Sequence, residues 1–216
     1  LLVPGISTVV MLAVLISLGF WQLQRRAWKA DLLSRIDAAE QHPAIALPDR
    51  PEPFAKVRVT GTLRPDLAAR YGAEVRGTTL GQHVIVPLER QGLAPILVDL
   101  GWAQGGTLTL AETSGWIDGY VRPPEHGGLF AAPDNPQKRL FYTLDPEKIG
   151  AALGLPRVAP FTLVAVGPSI QGRFPDPVQT LPRPPNNHLQ YAITWFGFAV
   201  TLLVIFALWT RKTLSP

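Results

Sequence analysis

The sequence predicts a membrane protein in which two transmembrane helices flank a mainly antiparallel β domain, a small barrel or sandwich with one or two short helices. Three observations carry this. The first 24 residues, Leu1 to Gln24, hold no charged side chain, and neither does Leu189 to Thr210. Residues 25–188 hold 34 charged side chains, or 21%, close to the roughly 25% of ordinary globular proteins. Within that stretch, short runs alternate apolar and polar residues and are separated by Gly and Pro. A wholly soluble protein and a many-span transporter are both excluded. The expected organisation is a first span over 1–24, a β-rich domain with its tether over 25–188, a second span over 189–210 and a tail over 211–216.

The apolar stretch Ile6 to Leu23 has 18 residues and Leu189 to Trp209 has 21. At about 1.5 Å per residue they reach about 27 and about 32 Å, enough for a hydrocarbon core of about 30 Å. Pro4 stands where a first helical turn tolerates it. Trp21 precedes Arg25-Arg26, and Trp209 precedes Arg211-Lys212; Trp beside basic residues anchors a helix at the interface. A cleaved signal peptide fits the first span poorly, because its basic flank follows it and no Ala-x-Ala pattern occurs. The chain begins at Leu1 rather than Met, so a preceding N-terminal piece is expected.

Orientation stays open at this stage. Near the spans the loop side carries Arg25, Arg26, Lys29, Arg35, Arg173 and Arg183, against Arg211 and Lys212 outside it. That count alone would keep the loop in the cytoplasm, but the rule is weak for loops longer than about 60 residues. The net charge of +4 raises the question of nucleic acid. No basic run exceeds two residues and aromatics do not interleave with them, so no nucleic-acid partner is expected.

Trp28 to Ala39 is amphipathic and continues the first span out of the membrane. Phe54 to Gly61 alternates with period two, the mark of a half-buried strand. Further strands are expected over His83 to Leu88, Pro95 to Trp102, Trp116 to Val121, Leu140 to Leu144 and Phe161 to Val166, with Gly105-Gly106 among the breaks between them. Asp145-Pro146-Glu147 opens a short helix to Leu153, with Asp as N-cap and Pro at N1, and Gly154 stops it. Phe174 to Pro185 holds five prolines in twelve residues and reads as an extended tether.

Cysteine is absent and methionine occurs once, at Met11. This removes disulfides, thiol catalysis, iron–sulfur ligation and the thiolate or Met-rich sites of a copper carrier. No Gly-rich phosphate loop, His-Glu-x-x-His or Gly-x-Ser-x-Gly is present. Four histidines remain. His42 and His126 read as solvated, and His83 at a strand start reads as structural. His188 stands at the mouth of the second span. There a neutral imidazole could ligate haem iron, or the residue could cap free amides at the helix start. Tyr191 and Trp195, spaced i, i+4, share its helical face, and Trp21, Gln22 and Gln24 end the first span nearby. These aromatics form either a packing seam or a pocket wall. Met11 lies about 15 Å deeper than Trp21 and is a poor second ligand, so a haem here would be five-coordinate or completed by a partner.

Leu18-Gly19-Phe20-Trp21-Gln22-Leu23-Gln24-Arg25-Arg26-Ala27-Trp28-Lys29 resembles the first-span signature of the Surfeit locus protein 1 family, assembly factors of cytochrome c oxidase. Arg183-Pro184-Pro185-Asn186-Asn187-His188-Leu189-Gln190-Tyr191-Ala192-Ile193-Thr194-Trp195-Phe196 resembles its second-span signature. Gly81 to Leu88, Leu97 to Trp102 and Gly119 to Pro123 fall between them in the expected order. One departure is Leu100-Gly101-Trp102, where the family usually has Arg before Gly.

The resemblance implies a non-enzymatic factor of the bacterial plasma membrane, or of the mitochondrial inner membrane, with its loop in the periplasm or intermembrane space. Its partners would be subunit I of the oxidase, assembly intermediates, haem a synthase and the lipid bilayer. Its cofactor would be transiently held haem a. His188 would then be the iron ligand. Trp21, Tyr191 and Trp195 would line the pocket, and Arg25, Arg26 and Arg183 would meet the propionates. The competing readings are an accessory protein that stays with the oxidase without carrying haem and, less well supported, a haem-maturation enzyme.

Overall fold

The computed structural model describes residues 2–105, 110, 113–128, 131–170 and 174–214; Gly106 and Arg173 lie outside them. In chain order the elements are α1 (Leu2–Gln41), β1 (Ile45–Ala46), β2 (Lys56–Leu63), β3 (Ala69–Arg76), β4 (Thr79–Arg90), β5 (Leu93–Gln104), β6 (Ser114–Arg122), β7 (Leu140–Phe141), α2 (Pro146–Ala152), β8 (Thr162–Ala165) and α3 (His188–Leu214). They group into two units: Leu1–Asp37 with Arg183–Pro216, and Ala38–Pro182.

In the helical unit, α1 and α3 each contain an apolar window of mean hydropathy 2.2, of which only 11% is buried. A core helix of a soluble protein would bury that window against protein. Here Val9, Val10, Val14, Leu203, Val204 and Ile205 face outward, as a lipid-facing surface requires. Apart from Ile36 near the end of α1, the buried residues form a narrow seam, Leu15, Gly19 and Gln22 on α1 and Ala192 and Ala199 on α3. Small residues let two backbones approach closely where lipid offers no hydrophobic drive between helices. Gly19 shows why. A Cβ there would lie 2.6 Å from Cε1 of Phe196, and Phe196 also meets Phe20 edge-on at 5.6 Å. The amphipathic continuation of the first span is present, since α1 runs unbroken to Gln41.

The second unit is an eight-stranded mixed sheet, ordered β1-β2-β6-β8-β5-β4-β3-β7, with an additional β2–β4 pairing. That pairing, Thr62 to Glu89 and Leu63 to Leu88, closes β2, β6, β8, β5 and β4 into a ring. Most pairs are antiparallel, while β1–β2, β3–β7 and β5–β8 are parallel. β2 buries Val57 and Val59 and exposes Arg58 and Thr60, the alternation expected of a strand with one face on the core. The central strands differ. Val84-Ile85-Val86 and Ile96-Leu97-Val98 are buried throughout, because each has a core on both faces. One face packs Leu88, Ile96 and Val98 with Val57, Val121 and Leu163 inside the ring. The other packs Ile85 and Leu97 under Ile149 of α2 and Leu153 just after it. α2 starts as its sequence requires, with the Asp145 carboxylate accepting from the amides of Glu147 and Lys148, and Gly154 follows at φ +74°.

Several expectations change, and the strand expected over Leu140 to Leu144 is only the two-residue β7. β3 was not anticipated as a strand: Gly72 adopts φ +68° and the β3–β4 ladder slips between Tyr71 and Glu74, so no period-two pattern survives there. The proline-rich segment is extended as expected, but its first part does not run free. Asp176 bridges Trp102, Val178 bridges Val166, and Leu181 is buried. It is a strap on the sheet, and the helical unit resumes only at Arg183.

Candidate functional site

α3 begins at His188, directly after the proline-rich stretch has ended. The carbonyl of Asn187 accepts from the amides of Gln190 and Tyr191, at 3.1 and 3.4 Å, and starts the helical ladder. The His188 ring does not cap those amides. Its Nδ1 lies 2.8 Å from Oε1 of Gln22 on α1. An amide oxygen can only accept, so in the neutral ring Nδ1 carries the hydrogen and Nε2 keeps its lone pair. Gln22 is buried in the helix seam while His188 is half-buried. The pair therefore joins both helices at one end, with the ring held in one tautomer. Anchoring one nitrogen and leaving the other as a donor is the usual arrangement of a ligating histidine. Asn186 adds a second tie at this end, donating to the Arg26 carbonyl at 3.2 Å.

The other expected site residues are distributed around this pair. Tyr191 and Trp21 are more than half exposed, and Trp195 is half-buried with its ring 6.1 Å from that of Phe198. Trp21 and Tyr191 thus present aromatic surface outward rather than to a closed cavity. Arg25 stacks on Trp28 at 4.1 Å, and Arg183 pairs with Asp37 at 3.1 Å. Arg26 is exposed and has no side-chain partner among the described residues, so it is the most available to an added anion.

The remaining histidines separate cleanly. His42 caps its own helix turn, 2.7 Å from the Ala38 carbonyl. His126 is 79% exposed and 3.6 Å from Asp145. His83 is enclosed in the sheet between Asp99 and Glu74 and has no free ring nitrogen. His42 also has one ring nitrogen on a neutral acceptor; His188 differs in standing beside the seam of the two apolar helices. No group of three or more His, Asp or Glu that could hold a metal ion by themselves occurs among the described residues, so the iron of a ready-made cofactor fits this site better than a bare ion.

The SURF1 family profile matches residues 9–200. The chain belongs to the SURF1 family. It is similar to a SURF1-like protein of Rickettsia conorii, 28% identical over 214 residues, which span 94% of this chain and 89% of the relative. It is also similar to Surfeit locus protein 1 of Rattus norvegicus, 28% identical over 232 residues (93% of this chain and 74% of the relative), and to that of Homo sapiens, 27% identical over 228 residues (91% and 73%). SURF1 family membership supports a general role in oxidase assembly. Together with the two apolar helices it makes this a membrane protein.

Leu100, just before the Gly101-Trp102 turn, is partly buried and packs against the apolar core. Gly101 has φ +115° and lies against the Asp176 backbone, where a Cβ would collide. A cation covers Trp102, because Arg76 sits 5.1 Å above its ring.

Proposed function

We propose that this chain receives haem a and presents it for insertion into the catalytic subunit I of a haem-copper oxidase, with His188 as axial ligand to the iron. The observation that carries the reading is the His188 Nδ1 to Gln22 hydrogen bond, which leaves Nε2 as a lone-pair donor at the end of an apolar helix pair. Haem supplies an iron with axial positions to fill, an apolar ring and anionic propionates. The residues of this chain do the rest. Gln22 orients the imidazole, and Trp21, Tyr191 and Trp195 offer aromatic surface to the ring. Arg26 offers a cation to a propionate, with Arg25 and Arg183 beside it in exchange for their present partners. A single protein ligand suits a carrier, since it holds the cargo without saturating the iron.

On this reading the membrane is the bacterial plasma membrane, or the mitochondrial inner membrane in a eukaryote. The β domain is periplasmic or in the intermembrane space, and haem a synthase is the donor. A reporter active only in the cytoplasm, inserted at Gly105, is then expected to be silent. The functional test is the haem a content of subunit I in oxidase purified from cells that carry either the natural chain or His188→Ala at equal abundance. A lower content with His188→Ala is expected. Equal content would favour an accessory protein that does not carry haem.

A further inference from the structure

His83 on β4 has carboxylates on both sides. Its Nδ1 is 3.0 and 2.9 Å from the two oxygens of Asp99 on β5, and its Nε2 is 3.1 Å from Oε2 of Glu74 on β3. An ionised carboxylate accepts but cannot donate. Both contacts are therefore satisfied only when both ring nitrogens carry hydrogen. Asp99 is fully buried, and its Oδ1 also accepts from the Gly101 amide at 2.9 Å. Leaving it without a cation would strand a charge in the core. Geometry alone thus assigns the cluster a bound proton.

The same corner holds the strap. Trp102 donates its indole hydrogen to the Glu74 carbonyl at 3.1 Å, and exchanges backbone bonds with Asp176 at 3.0 and 2.7 Å. Arg76 lies over the Trp102 ring and bonds both Glu74, at 2.8 Å, and Asp176, at 2.9 Å. The ladder is irregular on both sides of His83, between Tyr71 and Glu74 and between His83 and Ile85. Side chains therefore do part of the work that backbone bonds do elsewhere. The facing ionisable groups complete the picture. From β3 come Glu74, Arg76 and Tyr71, whose ring meets His83 at 6.2 Å and whose hydroxyl is tied to Arg122 and Glu125. From β5 comes Asp99, from β6 Tyr120, and from the strap Asp176.

We propose that His83 is a pH-sensitive pin: an imidazolium that ties β3 to β5 across β4 and whose loss of the proton loosens the strap at Trp102 and Asp176. With the proton in place the three carboxylates face two cations, His83 and Arg76. Without it, Arg76 still holds Glu74 and Asp176, and the buried Asp99 keeps only the Gly101 amide among the described residues. Burial works against the charge on His83, but the hydrogen bonds and charges of Asp99 and Glu74 outweigh it and raise the imidazole above its ordinary value.

The test uses the full chain in detergent micelles with ¹⁵N-labelled histidine and tryptophan, titrated from about pH 5 to about pH 9, across the ordinary histidine range. His83, identified by the signal lost in His83→Gln, is expected to carry hydrogen on both nitrogens at neutral pH. It is expected to release one at a midpoint above the ordinary histidine value of 6.5. The Trp102 indole signal is expected to move with that midpoint, and hydrogen-exchange protection of the Trp102 and Asp176 amides to fall about tenfold across it. Glu74→Gln, at a partly exposed site that keeps the buried Asp99 pair, is expected to lower the midpoint. A neutral His83 at pH 7, an unmoved midpoint in Glu74→Gln, or protection unchanged across the transition would each overturn the pin.

Discussion

Two histidines at comparable depth have opposite chemistry because of what stands beside them. His188 has one partner, the neutral amide oxygen of Gln22, and keeps an unshared nitrogen. His83 has two carboxylate partners and keeps none. On the proposed reading the first binds haem iron and the second holds a proton. An imidazole's role is set by the charge and number of its acceptors, not by its depth in the fold.

Breaking the His83 side is expected to have the largest effect. Asp99→Leu removes one member of a buried charged pair, a change that costs about 3–5 kcal/mol, and is expected to lower the chemical unfolding midpoint of the β domain in detergent. At the other histidine, Gly19→Leu forces the helix seam apart at Phe196. Overpacking of this kind costs about 1–3 kcal/mol; it is expected to weaken haem retention, read by gel filtration of the haem-loaded chain. Gln22→Leu leaves the imidazole unoriented and is expected to lower haem affinity by about 10- to 100-fold, the usual cost of losing an outer partner of a metal ligand. Haem titration measures it. Gln22→Glu gives His188 a carboxylate of the kind His83 has, and is expected to lower the haem reduction potential by making the ligand more basic.

The pH dependence has a defined sign. His83 binds its proton more tightly folded than unfolded, so its contribution is fully present below its ordinary value of 6.5 and is lost as pH rises through the raised folded value. Glu74 is the reverse. The Arg76 hydrogen bond, with His83 adding to it, outweighs burial and holds its carboxyl below its ordinary 4.5. Its contribution is present above 4.5 and is lost as pH falls through the lower folded value. The cluster therefore stabilises the β domain most between these two ordinary values, which unfolding midpoints across pH can check. The smallest effect belongs to His126, which is exposed and whose nearest ionisable partner lies 3.6 Å away. His126→Ala is expected to change stability by less than about 0.5 kcal/mol and to leave a haem spectrum unchanged.

The sequence made the helical unit more legible than the sheet. Two uncharged stretches and a helix start at His188 are local patterns, and Gln22 was already marked by its place at the end of the first span. That it faces His188 rather than lipid depends on the seam through Leu15, Gly19 and Ala192, which only packing reveals. The long strands were readable from alternation or continuous apolar runs, and α2 from its Asp-Pro start. β3 was not, because Gly72 and the slipped ladder erase its period. For the same reason the partners of His83 were hidden. Glu74 lies 9 residues from it and Asp99 lies 16, and the irregular ladders that turn them toward one ring leave no spacing rule to read.

The most direct measurement is the absorption spectrum of the full chain purified after co-expression with haem a synthase, natural and His188→Ala side by side. The natural chain is expected to carry a haem a spectrum that is lost or strongly shifted in His188→Ala, while the variant still inserts and folds. An unaltered haem spectrum in His188→Ala would contradict the account and leave His188 as a residue that only joins two helices.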